Sequence, residues 1–343
     1  MPSLRRRGYI AGLGLLALLG TGCAQAGADV AGKKVHTLFV QITLIALPVF
    51  VIVEFLLVYF VFRYRKRDDE PAPQQSGTTR SLVIFFLIPT LIVSVVYGLG
   101  EVTLAAVQKQ DPNPQISIRV EGAQWAWTFY YLNEGFYSTG KTLGPPAVME
   151  VPVDVPVHID LVSKDVIHSF FVPAFLYKRD VIPGRTNAFT FTATTLGTFN
   201  GQCAEFCGLY HSKMRFTLNV VTLQDYQAWV EQVKNAAQNV TCPVTTGNNI
   251  ALTAQNTSWN TACIAVNSGA PISLTITNDD LGIDHNFAVY DSPKRKTQFF
   301  ETPKVPGVAT NTYQLEALPP GTYYFQCNVH GPSMSGTFIV AKP

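Results

Sequence analysis

Two long apolar runs near the start of the chain stand apart from everything that follows them. Residues 38–62 carry Glu54 as their only charge, and residues 82–99 carry none. At about 1.5 Å per residue each run can cross a hydrocarbon core of ~30 Å, so the pattern predicts two transmembrane helices, 38–62 and 82–99, within a segment 38–110. Pro48 and Pro89 fall inside them, where neighbouring helices can satisfy the backbone groups a proline frees. Arg63, Arg65, Lys66, Arg67 and Arg80 lie between the runs, against Lys33 and Lys34 before the first. That excess assigns the connecting loop to the cytoplasm and everything after Glu101 to the outer face.

Beyond the runs the period changes from helix to strand. Residues 115–121 and 156–163 alternate apolar and polar positions, and Trp125, Trp127, Phe129 and Tyr131 recur at period two, as rings do on a strand packed against a core. Helical spacing returns once, over residues 223–238, with Tyr226, Trp229, Val230 and Val233 on one face. After Cys242 the chain turns polar, and short strand patterns resume at Ile250 and at Ile272. The reading is an apolar hairpin followed by all-β domains.

Ahead of the first run, Arg5, Arg6 and Arg7 precede a short apolar core ending at Leu19, the pattern of an export signal over residues 1–22. Residues 23–37 are then an outer-face segment. Cys23 follows a lipoprotein-like run in which the leucine stands one residue farther away than usual. Lipidation of Cys23, plain cleavage and retention all stay open. Only 14% of the 343 residues are charged and the formal net charge is +2, which suits a membrane anchor joined to soluble domains and excludes a basic nucleic-acid binder. Among six cysteines, Cys242 and Cys263 are left over from every motif and read as a disulfide formed in an oxidising compartment.

The chemistry is concentrated in Cys203-Ala204-Glu205-Phe206-Cys207-Gly208-Leu209-Tyr210-His211-Ser212-Lys213-Met214. Zinc is satisfied by Cys and His alone, whereas thiolate, imidazole and thioether together point to copper in an electron-transfer site. A disulfide between Cys203 and Cys207 is the plain alternative, but it gives no reason for His211 and Met214 at their spacings. His168 supplies one more imidazole from the run Asp165-Val166-Ile167-His168.

With His168 included, residues from about Leu38 to Val230 resemble subunit II of the haem-copper oxidases, cytochrome c oxidase among them. The resemblance implies a binuclear copper A centre held by His168, Cys203, Cys207, His211 and Met214 and by the backbone carbonyl of Glu205. It also implies that the Glu205 carboxylate faces a magnesium or manganese ion at the junction with subunit I. Trp125, in the Gln-Trp-x-Trp run, maps to the tryptophan through which electrons enter, beside its plainer reading as a packed strand ring. Glu54 reads either as a contact with subunit I or as a protonated, tolerated carboxyl. Many subunit II sequences carry a glutamate at the cytoplasmic start of the second helix. Leu82 stands there in this chain, which puts the usual proton-uptake role in doubt. His158 reads as a surface or hydrogen-bonded histidine.

The tail repeats the logic of the first motif. Gly197-Thr198-Phe199 stands six residues before Cys203 and Gly321-Thr322-Tyr323 six before Cys327, with Gln202 and Gln326 just ahead of the thiols. Met214 and Met334 each precede a threonine by three positions, and His285-Asn286-Phe287 echoes His168-Ser169-Phe170. An internal repeat is the economical explanation. The second copy has one cysteine, so His285, Cys327 and His330 with a weak axial Met334 make the two-histidine, one-cysteine set of a type 1, or blue, copper site. It resembles small bacterial cupredoxins. Lys294, Arg295 and Lys296 read as a solvated loop or a docking patch.

Together these expectations describe a two-helix hairpin followed by two Greek-key cupredoxin sandwiches, a copper A domain over 111–242 and a type 1 domain over 243–343. The resemblance implies a multi-pass subunit of a respiratory oxygen reductase in a bacterial cytoplasmic membrane. Electrons would pass from a cytochrome c or cupredoxin donor, soluble or membrane-bound, to haem in subunit I. The second domain would act as a tethered donor, its electrons crossing to Trp125. Partners would be subunit I and the other oxidase subunits. A copper A-containing nitric oxide reductase is the alternative within the superfamily, and a membrane copper-delivery protein the alternative outside it. Nitrous oxide reductase shares the motif but should lack the paired helices, and quinol oxidases have lost the copper ligands.

Overall fold

The computed structural model describes residues 27–65, 76–238, 242 and 248–342. The expected signal segment, Cys23, and the loop residues Lys66 and Arg67 lie outside the described residues. The described chain forms two compact units: one holds the N-terminal helices, and the other comprises Asp111–Pro173 with Tyr177–Pro343.

In the first unit, α1 (Val30–Arg63) and α2 (Thr79–Gln108) are long and apolar enough to cross a membrane. Lys34 and Leu38 of α1 line one pocket with Leu99 and Thr103 of α2, so the helices run antiparallel. Both extend past the apolar runs 38–62 and 82–99, and the segment expected as 23–37 is already helical from Val30. Capping explains the earlier starts. Asp29 accepts hydrogen bonds from the backbone N–H groups of Ala31 and Gly32, and Thr78 with Ser81 forms a reciprocal capping box. Both helices run through their prolines. Their side chains are bare, with Phe85 68% and Val93 65% exposed, the surface expected of elements that face lipid or other chains.

The second unit contains four sheets making two sandwiches. The first sandwich uses β1 (Ile116–Ala123), β2 (Ala126–Tyr131), β3 (Phe136–Thr139), β4 (Ala147–Pro152), β5 (Val157–Ser163), β6 (His168–Val172), β7 (Tyr177–Val181), β8 (Asn187–Phe191), β9 (Gly197–Cys203) and β10 (Arg215–Val221). They form sheets in the orders β3-β2-β1-β5-β8 and β4-β10-β9-β6-β7. Strict alternation puts Val157, Ile159 and Leu161 of β5 and Phe216, Leu218 and Val220 of β10 inside. The Phe170 and Phe216 rings stack at 4.7 Å with Trp127 edge-on to both. Gly201 has no side chain because the Phe216 ring occupies that space. The helix α3 (Leu223–Gln238) closes this sandwich as its periodicity predicts: Tyr226 and Val230 are buried, and Trp229 packs on Tyr131 and Phe136.

The second sandwich uses β11 (Asn249–Gln255), β12 (Ser258–Trp259), β13 (Cys263–Asn267), β14 (Ile272–Asn278), β15 (Ala288–Tyr290), β16 (Gln298–Glu301), β17 (Ala309–Leu315), β18 (Gly321–Cys327) and β19 (Gly331–Ala341). Its sheets are β12-β11-β14-β17 and β13-β19-β18-β15-β16. With β3 set aside, this is the first sandwich strand for strand. The parallel pairs β1/β5 and β4/β10 recur as β11/β14 and β13/β19, and the antiparallel pairs β6/β9 and β9/β10 recur as β15/β18 and β18/β19. The repeat read from the two cysteine motifs therefore extends to the whole topology. Cys242 and Cys263 form a disulfide with Cα atoms 5.4 Å apart, joining the segment after α3 to β13.

Candidate metal centres

In the first sandwich, β6 and β9 are hydrogen-bonded neighbours, which brings His168 and Cys203 to the same end of the sheet. The loop from β9 to β10 carries the remaining candidates. Cys203 Sγ and Cys207 Sγ stand 3.8 Å apart as free thiols, so the disulfide alternative is not the one adopted. His168 Nδ1 lies 3.9 Å from Cys203 Sγ, and His211 Nδ1 lies 3.4 Å from Cys207 Sγ. Met214 Sδ is 3.8 Å from Cys207 Sγ, and the Cys203 thiol donates to the Glu205 carbonyl at 3.2 Å. The arrangement gathers two thiols flanked by an imidazole on each side, with one thioether and one carbonyl.

The protons follow this geometry. A hydrogen bond from Cys207 pulls the Cys203 thiol down to about 3, and the same interaction pushes Cys207 up, so the pair readily gives up one proton and shares the other. Burial alone would lower His168. The Asp165 carboxylate, 2.8 Å from Nε2, and the neighbouring Cys203 reverse that and raise it. Asp165 thereby occupies Nε2 and leaves Nδ1 facing the thiols, the outer-shell arrangement that orients a ligating histidine.

The second sandwich builds its cluster in the same place. Cys327 Sγ is 3.9 Å from His285 Nδ1 and 3.6 Å from His330 Nδ1, and all three side chains are buried. The Asn286 N–H donates to Cys327 Sγ at 3.4 Å, and the Asn286 Oδ1 accepts from the Asn328 N–H at 2.7 Å, which ties the ligand loop to the segment carrying His285, just ahead of β15. Burial, reinforced by His285, lowers His330 to about 3, and burial lowers His285 as well. Both rings are therefore neutral at ordinary pH, the form that binds a metal. Met334 is 1% exposed in the same core.

Two pairs of residues, Asp165 with Asp280 and Trp127 with Trp259, support the ligands in roles that the sequence motifs do not announce. The Asp280 carboxylate stands 2.8 Å from His285 Nε2, the counterpart of Asp165 and His168. The indole N–H of Trp127 donates to the Met214 carbonyl at 3.4 Å, and that of Trp259 donates to the Met334 carbonyl at 3.1 Å. The repeat itself was the available signal, since Trp127 and Trp259 occupy equivalent strands, β2 and β12. Removing an outer-shell partner typically costs about 10–100-fold in metal affinity. Asp280→Ala should therefore weaken metal binding at the second cluster by about that factor and spare the first, as read by competition with a chelator.

The other candidates lie at the edge of the first cluster or away from both. Trp125 donates its indole N–H to the Cys207 carbonyl at 3.0 Å and meets Tyr210 edge-on at 5.0 Å. The Glu205 carboxylate is half-exposed and ion-paired with Lys178 at 3.1 Å. His158 stands beside Asp160 at 3.2 Å, away from both thiol clusters. The donor sets fit copper: buried thiols and thioethers, with one imidazole at each site aimed at the thiol by a carboxylate.

An apolar helical hairpin followed by two sandwiches, each gathering Cys, His and Met at the end of a sheet, defines a membrane-anchored copper protein of the cupredoxin class. Residues 116–221 match the family described as cytochrome c oxidase subunit II, periplasmic domain, and residues 227–340 match the cupredoxin-like domain. A probable cytochrome c oxidase subunit 2 of Streptomyces coelicolor is 30% identical over 232 residues, 56% of this chain and 73% of that protein. The cytochrome c oxidase subunit 2 of Cereibacter sphaeroides is 29% identical over 248 residues, 63% of this chain and 80% of its own. Among solved structures, the periplasmic domain of cytochrome oxidase subunit II from Bradyrhizobium japonicum shares 35% identity over 36% of this chain and 97% of its own, with a TM-score of 0.35. An auracyanin of Roseiflexus castenholzii shares 18% identity over 28% of this chain and 99% of its own, with a TM-score of 0.26. The chain belongs to the cytochrome c oxidase subunit II family. It is thus a component of a membrane oxidoreductase complex, carrying copper-binding domains on the outer face and partnered by oxidase subunits.

Proposed function

We propose that this chain is the electron-transfer subunit of a respiratory haem-copper oxygen reductase. It takes electrons from a cytochrome c or cupredoxin donor at a type 1 copper, passes them to a binuclear copper A centre, and delivers them to haem in subunit I. His285, Cys327, His330 and Met334 hold the first of these groups. His168, Cys203, Cys207, His211, Met214 and the Glu205 carbonyl hold the second. Copper at such sites gains and loses one electron with no bond made or broken. The observation that carries the reading is the pair of buried, carboxylate-oriented thiol and imidazole clusters built on one repeated topology.

The protein's own residues keep each site rigid. Asp165 and Asp280 fix the imidazoles, Trp127 and Trp259 fix the methionine backbones, and the Asn286–Asn328 bond closes the second loop. The half-exposed Glu205 carboxylate is the proposed point of contact with a magnesium or manganese ion at the subunit I junction. Trp125 serves as an inlet for outside electrons. In this reading both helices cross the membrane with their connecting loop in the cytoplasm, residues 1–22 are an export signal, and the copper domains occupy 111–242 and 243–343. Purified from membranes in mild detergent, the full chain should bring down a haem-containing integral subunit and carry about three copper ions. A single copper, or zinc in its place, overturns the reading.

A further inference from the structure

The two sandwiches meet across faces that would otherwise point to solvent. Glu121 and Arg119 of β1 and Thr128 and Tyr130 of β2 alternate away from the first core, yet Glu121, Thr128 and Tyr130 are all buried. Opposite them, Tyr324 and Gln326 of β18 alternate away from the second core and are buried as well. Tyr137 joins the two faces, its hydroxyl 3.4 Å from Ser335 Oγ and its ring 6.2 Å from that of Tyr324. Thr257 Oγ1 donates to Thr142 Oγ1 at 2.6 Å, and Arg295 lies within electrostatic reach of Tyr130 and Lys164. The second domain is therefore docked on the first, where the sequence reading expects a tether.

The docked face reaches the edge of the second metal cluster. His330 is only 4% exposed, and the next residue, Gly331, has the left-handed φ of 63°. A methyl group on Gly331 would stand 3.5 Å from Glu121 Oε1. Glu121 is followed by Gly122, and a methyl group there would stand 3.1 Å from Cδ2 of His168. Two glycines thus bring three segments together: His330–Gly331, Glu121–Gly122 and the His168 ring. Trp125, by contrast, makes its hydrogen bond and ring contact with Cys207 and Tyr210, and among the described residues neither kind of contact joins it to residues 248–342.

Glu121 is an expensive group to keep at this point. It is 5% exposed, with the Tyr130 hydroxyl donating at 3.3 Å and Lys164 Nζ at 4.0 Å. A buried carboxyl group held by such long contacts contributes little stability, and the best attested use of buried polar groups is to specify one arrangement over others. We propose that Glu121 is the positioning residue of a fixed bridge between the two copper sites, holding the His330–Gly331 backbone against β1 so that electrons enter the first site on its His168 side. The transfer moves one electron and no proton: the second site is oxidised by one electron and the first is reduced by one. The proposal rests on the two-copper reading above and adds the route and the residue that sets it.

The test uses the full-length chain and two readouts. In the copper-free protein, amide hydrogen exchange over residues 328–335 should be slow and should quicken in Glu121→Ala. In the copper-loaded protein, flash reduction of one site followed by electron exchange with the other should slow about tenfold or more in Glu121→Ala, because the rate depends on geometry. The spectra and potentials of both sites should not change. Glu121→Gln keeps the reach without the charge and should restore both readouts to within a few-fold, and it remains informative if the alanine variant fails to fold. Unchanged amide exchange, unchanged electron exchange, or electron exchange slowed by Trp125→Phe but not by Glu121→Ala would each overturn the bridge. Failure to bind copper at the second cluster would instead refute the two-copper reading, and the copper-free measurement would still decide whether Glu121 holds the docked face.

Discussion

Cys203→Ser should lower the copper content of the full-length chain from about three ions to about one. Cys203 sits at the heart of the first cluster: its sulfur faces Cys207, His168 and the Glu205 carbonyl at once. Serine fits the same buried space but offers an oxygen that stays protonated and binds copper poorly, so the remaining thiol cannot bridge two ions. The second cluster shares none of these residues. It is built from His285, Cys327 and His330 on the other sandwich and should keep its copper and its absorption. Metal analysis and visible spectroscopy of the same preparation read both halves of the result. Retention of about three ions would mean that Cys203 is not a bridging ligand, and loss of all copper would mean that the two centres are not independent.

Most of the ligand geometry was legible because it is local. Cys203, Cys207, His211 and Met214 lie within 12 residues of one another along the chain, and Cys327, His330 and Met334 within eight, so their spacing alone predicted convergence. His168 and His285 required the pairing of two strands, and the repeat supplied that by showing the same histidine upstream of both thiol motifs. The apolar helices were legible in extent of hydrophobicity but not in length, because their first turns are set by Asp29 and Thr78 caps lying outside the apolar runs. Asp280 and Trp259 were invisible for a different reason. Asp280 stands only five positions before His285, but an aspartate carries no motif by itself, and Trp259 reaches the Met334 carbonyl across the sandwich, from the opposite sheet. The docked face was hidden by ordinary appearance. Alternation along β1 and β2 predicts a polar or aromatic outer surface whether it meets water or a second sandwich, so Glu121 and Tyr130 gave no sign of being buried.

Removal of residues 243–343 should leave the first cluster able to bind its copper while donor-driven turnover of the assembled oxidase falls by about a hundredfold or more. The first sandwich keeps its own core around Trp127, Phe170 and Phe216, and α3 still covers Tyr131 and Phe136, so the first metal site loses no ligand. What disappears is a donor already in place. A joined partner acts as if present at ~mM concentration, and this advantage alone can exceed the affinity of the separate pieces by about 10²–10⁴-fold. The excised domain supplied in solution should therefore restore turnover only at high concentration. Restoration should also require the face that holds Tyr324, Gln326 and Ser335 against the first sandwich. Steady-state turnover with the physiological donor measures the loss, and direct photoreduction of the first site measures whether onward transfer survives. Turnover that is indifferent to the truncation would place the second copper off the main route, as an outlet or an accessory, and the serial relay would fall. A truncated chain that turns over slowly yet passes photoinjected electrons onward at the full rate would place the second sandwich in series, upstream of the first.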